Sequence, residues 1–207
     1  MKSNGTGRIL ALVLLAGCGG PETGQERAER AAQSIEQFRT ELNDGMKQVD
    51  AGLAALNGLS AATDKKAAYD KLTSEIANTE SKAAEIRESA DAMKAGGRNF
   101  FKKWEEQLAE IKDETLRARA KERASERSKQ YADLELKMGT AKGAYPPYLQ
   151  DLKDAHTALA NDLNAKGIAA ADSLFKKANL DGVELKNRIN DVAKVLDGVE
   201  ADLRPAK

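Results

Sequence analysis

"KMGTAKGAYPPYLQDL", residues 137–152, carries two conflicting instructions. Its apolar residues continue a seam of Tyr131, Leu134, Met138, Ala141, Tyr145, Leu149, Leu152, His156, Leu159 and Leu163, with the alternating steps of 3 and 4 expected of an amphipathic helix. Gly139, Gly143, Pro146 and Pro147 fall inside that seam, and a proline in a helix interior removes a hydrogen bond and clashes with the preceding turn. A hairpin tip near 139–146 reconciles the two, with the chain folding back there. A further rod then begins at the prolines, which suit a helix's first turn.

Working outward, the chain resolves into more rods of the same kind. Ala31, Ile35, Phe38, Leu42, Met46, Val49, Leu53 and Leu56 form one seam. Asn57-Gly58 and the stretch Ser60 to Asp64 then supply a stop and new N-cap candidates. Tyr69, Leu72, Ile76, Thr79, Ala83, Ile86, Ala90 and Met93 follow with the a/d spacing of a coiled coil. Gly96-Gly97 predicts a kink or weak point, the alternative being a full break, because each glycine costs about 1 kcal/mol in a helix interior. Phe101, Trp104, Leu108 and Ile111 resume the pattern at once. Unbroken from 64 to 138, this rod would reach about 110 Å. Past Gly167 a shorter helix includes Leu174 and Phe175, and Asp181-Gly182 reads as a joint before the last seam, Leu185 to Leu203.

Ala, Glu, Leu, Lys and Arg supply 109 of the 207 residues, a bias that selects long helices over a mixed domain. Aromatic residues are 4% of the chain and charged residues 32%, so the apolar surface suits narrow seams. The expected fold is all-α: an elongated antiparallel helical coiled coil of three or four rods, occupying residues 26–207 as one domain. The formal net charge is zero, which removes any global field toward nucleic acid.

The N-terminus reads as an address. Lys2 and Arg8 precede the apolar run Ile9 to Ala16, long enough for a signal-peptide core but short of the roughly 18 to 20 residues that span a bilayer. The run ends in Leu15-Ala16-Gly17-Cys18, which resembles the bacterial lipobox, with residues 1–17 removed and Cys18 acylated. The plain alternative for the lone cysteine is a buried thiol. A basic start, the apolar length, the small residues and the position of Cys18 together favour the lipobox. Several acyl chains, at about 0.8 kcal/mol per buried methylene, would hold the mature chain on a membrane through a tether of residues 18–25. In a Gram-negative source, Gly19 after the cysteine is similar to an outer-membrane sorting signal, with the chain facing the periplasm.

The lipobox together with "FFKKWEEQLAEI" (100–111), "RASERSKQYADL" (123–134) and "DLNAKGIAA" (162–170) resembles a family of uncharacterised bacterial lipoproteins, the domain-of-unknown-function family 2959. The resemblance implies an extended helical envelope lipoprotein without an established activity, and it supplies no catalytic residue. It also implies continuous helix where this chain has Gly96-Gly97.

Site chemistry finds little purchase. No GxxxxGK[ST] stretch exists to cradle a nucleotide's phosphates, and one Cys and one His cannot build a zinc cluster, so neither cofactor nor metal is expected. Carboxylates such as Glu105, Glu106 and Glu110 read as solvated helix faces, so no enzyme is expected. Arg119, Arg123 and Arg127, at i, i+4 and i+8, repel one another on one face and call for compensation. With a tip near 142, Arg123 lies opposite Asp162, so Asp162 and Asp154 are the plain partners. The functional alternative is an anionic partner: lipid headgroups, cell-wall polymer or another protein. His156 on its seam reads as a partly exposed or hydrogen-bonded residue before a pH switch. Phe100, Phe101 and Trp104 read as seam packing. The functional expectation is a lipid-anchored envelope protein with a structural, spacer or protein-interaction role. The alternative is a binding module holding a hydrophobic or anionic ligand between helices, which requires an open seam.

Overall fold

Local capping chemistry starts each long helix. In the computed structural model, which describes residues 23–203, Thr23 opens α1 (Gly24–Ala61) with a reciprocal cap. Its hydroxyl accepts from the Glu26 N–H at 3.2 Å, and the Glu26 carboxylate accepts from the Thr23 N–H at 2.7 Å. Asp64 then caps α2 (Lys65–Glu110) by accepting from the Ala67 N–H at 2.9 Å. The break expected from residues 57–64 is therefore real, although α1 runs through Asn57-Gly58 before stopping at Ala61.

The hairpin tip near 139–146 does not exist. The chain turns back at 111–113, where Asp113 caps α3 (Glu114–Ala160) by accepting from the Leu116 N–H at 2.7 Å. α3 continues through Gly139, Gly143, Pro146 and Pro147 without interruption. Pro146 and Pro147 lie on its exposed face, so the carbonyls of Lys142 and Gly143, deprived of the N–H four residues on, meet solvent rather than core. Tertiary bonds brace this segment: Tyr145 Oη donates to the Thr79 carbonyl at 3.3 Å and Tyr148 Oη to the Val49 carbonyl at 3.0 Å. The rod expected from 64 to 138 is correspondingly cut at 111–113, yet it is continuous across Gly96-Gly97. α2 and α3, of 46 and 47 residues, each span about 70 Å.

A short α4 (Ala165–Ala170), capped by the Asn164 side chain, leads into α5 (Asp172–Leu203). Leu174 and Phe175 belong to α5, and Asp181-Gly182 is no joint but lies inside it. The described residues are thus all-α, and four long helices pack antiparallel in a ring: α1 on α2, α2 on α3, α3 on α5 and α5 on α1. Lys186–Asp50 at 2.6 Å, the Asn57–Asn179 amide pair at 2.9 Å and Arg39–Glu200 at 2.6 Å set the register of α5 on α1. Leu56, Leu72, Leu134, Leu152 and Leu196 have no exposed surface, and each such side chain contributes about 1.5–3 kcal/mol by burial.

Two tyrosines fix how closely the helices approach. Tyr131 lies so tightly over Gly97 that a Cβ there would come within 2.2 Å of its ring, and its hydroxyl donates to the Met93 carbonyl at 3.1 Å. Tyr148 crosses the ring of helices from α3: a Cβ on Gly52 of α1 would sit 2.5 Å from its hydroxyl and one on Gly182 of α5 3.2 Å from its ring. Glycine is required where the tyrosines press closest, at Gly52 and Gly97, so Gly97 is a packing notch instead of a weak point, while a Cβ on Gly96 would meet only Ser34 Oγ at 3.6 Å.

Candidate functional site

Cys18 and the lipobox residues Leu15, Ala16 and Gly17 lie outside the described residues. The first turn of α1 is tied to α2: Arg27 donates to the Gln107 side chain at 2.6 Å, which puts the start of the bundle beside the end of α2. The same end holds the 111–113 turn, the exposed Leu116 and the arginine face.

The structure separates that face from its expected partners. Arg123 and Asp162 sit 39 residues apart along one direction of the chain, on the order of 58 Å at helical rise, so they do not pair. Asp154 instead accepts from the Gln150 amide at 2.7 Å. Arg127 is half-buried with its guanidinium 5.5 Å from the centroid of Trp104, a cation–π contact. Arg119 and Arg123 are exposed, with no ion pair among the described residues.

The other singled-out residues are structural. Phe100, Phe101 and Trp104 pack on one another, and Phe101 meets Tyr131 edge-on at 5.5 Å. His156 is half-buried, stacks on Tyr69 at 4.5 Å and lies 2.9 Å from the Thr73 hydroxyl. Asp151, which the sequence did not single out, is 2% exposed, with one carboxylate oxygen on Lys177 of α5 and no donor to the other. Burial pushes its carboxyl above the ordinary range; the Lys177 hydrogen bond opposes this and the neighbouring Asp181 carboxylate adds to it. Among the described residues no group of three or more His, Cys, Asp or Glu is arranged to hold a metal, and no helix is long and apolar enough to cross a membrane.

One region is not closed. α2 packs on α3 less extensively than α1 on α2 or α3 on α5, and a cavity of about 450 Å³ opens between them. Its floor comes from all four long helices, through Leu42, Val49, Ile86, Met138, Leu185 and Ile189. Gly139 and Pro146 form part of its wall, so the segment that read as a tip lines an opening. The polar groups inside are already engaged: Thr79 donates to the Glu75 carbonyl at 2.7 Å and Gln48 to the Glu75 carboxylate at 2.9 Å. The half-buried Tyr145 hydroxyl, pushed up to about 12 chiefly by desolvation, remains a neutral donor. Charged residues ring the mouth, Lys82 (paired with Glu41 at 3.3 Å), Arg87, Asp91 and Lys94 from α2 and Glu135 and Lys142 from α3. None of these had been singled out in the sequence, where they look like any solvated helix face.

No curated protein and no solved structure matches the chain. The family described as "Protein of unknown function (DUF2959)" matches residues 21–201, nearly the whole bundle, and the chain belongs to that family.

Proposed function

We propose that the protein is a lipid-anchored, non-catalytic module of the cell envelope that acts through contact. The observation that supports this best is a coincidence at one end of the bundle, where the start of α1, the 111–113 turn and the basic face lie together. An acylated Cys18 is joined to α1 by a segment of at most about 20 Å, so this end stands at the membrane. Arg119 and Arg123 then meet anionic headgroups, each worth about 1 kcal/mol near such a surface. In a Gram-negative cell the bundle faces the periplasm from the outer membrane. It presents about 70 Å of helical surface to an envelope protein or cell-wall partner. Neither nucleic acid nor nucleotide has a role in this reading.

Fatty-acid labelling tests the anchor. The wild-type chain is expected to carry labelled acyl chains and to lose residues 1–17, and Cys18→Ser to carry no label and to keep them, with the same helical circular dichroism. Absence of label from the wild-type chain in the membrane fraction contradicts lipid anchoring.

A second reading, a module that binds a ligand between helices, is favoured by the cavity between α2 and α3. It requires no catalytic group and is compatible with the anchor.

A further inference from the structure

We infer that the α2–α3 cavity is a site for a single-chain amphiphile with an anionic head, a proposal that rests on the binding-module reading. Volume is the first argument: about 450 Å³ falls within the roughly 300–1,000 Å³ of small-molecule sites. Its polarity is the second. The floor is aliphatic, and Thr79, Gln48 and Tyr145 are already hydrogen-bonded within the bundle. The donors of these three groups are spent within the bundle, which leaves the aliphatic floor to accept hydrocarbon.

The mouth supplies the third argument. Its two acids are engaged, Asp91 with Lys94 at 3.2 Å and Glu135 with Arg98 at 3.8 Å. Arg87 and Lys142 have no carboxylate partner among the described residues, and they stand on the two helices that flank the opening. Both are exposed, so an anion can reach them while its chain enters between α2 and α3. One head and one tail are what this arrangement accommodates: a carboxylate or phosphate between Arg87 and Lys142, an alkyl chain over Met138 and Leu185.

The full chain carrying Cys18→Ser, which removes competing acyl chains, is titrated calorimetrically with dodecanoate and, in parallel, with dodecanol. Dodecanoate is expected to bind one per chain and at least about tenfold more tightly than dodecanol. Arg87→Gln with Lys142→Gln is expected to reduce dodecanoate to the level of dodecanol and to leave dodecanol unchanged. Gly139→Leu, where a Cβ meets nothing within 4 Å, narrows the cavity and is expected to weaken both ligands, as is Ala83→Leu. Equal binding of the two ligands overturns the anionic head while leaving the binding module standing, and absence of binding by either overturns both. Undiminished binding in folded Gly139→Leu and Ala83→Leu chains overturns the location.

Discussion

Tyr148→Ala is expected to destabilise the protein by about 3–5 kcal/mol, the range for removing a large buried ring, and to lower the melting temperature by on the order of 10 °C. Tyr148 has no exposed surface and is the one ring that reaches across the bundle from α3 to notches on both α1 and α5. Its removal empties the space between Gly52 and Gly182, and neither glycine has a side chain with which to fill it. Tyr148→Phe keeps the ring and loses only the bond to the Val49 carbonyl, so it is expected to cost about 1 kcal/mol. Thermal unfolding followed by circular dichroism separates the two. Equal, small effects would mean that Tyr148 is not the ring that joins the helices.

Gly97→Ala and Gly139→Ala make a matched pair with opposite signs. Both add one methyl group to a helix interior, which by propensity alone stabilises by about 1 kcal/mol. At Gly97 the methyl carbon would lie 2.2 Å from the Tyr131 ring, which is held by Phe101 and by its bond to the Met93 carbonyl. The ring must leave its place, and the net result is a loss of about 1–3 kcal/mol. At Gly139 nothing lies within 4 Å, so Gly139→Ala keeps the propensity gain and is expected to stabilise by up to about 1 kcal/mol. Denaturant melts of the two variants check both signs. A destabilised Gly139→Ala would speak for a turn at that position.

The all-helical class and most of the buried faces were legible from spacing alone. The seam of Ile35, Phe38, Leu42, Val49 and Leu56 is buried as its periodicity requires, and so is the final seam of Leu185, Ile189, Val192, Leu196 and Leu203. The seam around residues 137–152 was legible too, but it was outweighed by its glycines and prolines. Those residues act through local terms of about 1 and 3 kcal/mol, which burial along a helix of 47 residues overrides when the prolines face solvent. The true turn had a fainter sign, Asp113 as an N-cap with Glu114 in the first turn.

One misplaced turn carried further errors with it. The pairing of Arg123 with Asp162 depended entirely on a tip near 142, and it disappears once 123 and 160 lie on one helix. Gly96-Gly97 read as weakness because the tyrosine that occupies the notch arrives from another helix, beyond the reach of any local window. The cavity had no sequence signature for a similar reason. Arg87 and Lys142 become a pair only through the register of α2 on α3, and an unfilled seam has the same spacing as a filled one.

The direction of the chain through residues 137–152 therefore decides the account, and a single distance measures it. Ser128 and Thr157 are both exposed, and spin labels at Ser128→Cys and Thr157→Cys, with Cys18→Ser removing the native thiol, report their separation by double electron–electron resonance. A continuous α3 puts them about 44 Å apart. A hairpin near 142 would bring them face to face on neighbouring helices, about 10 Å apart, and would contradict both the bundle and the cavity that its third helix walls.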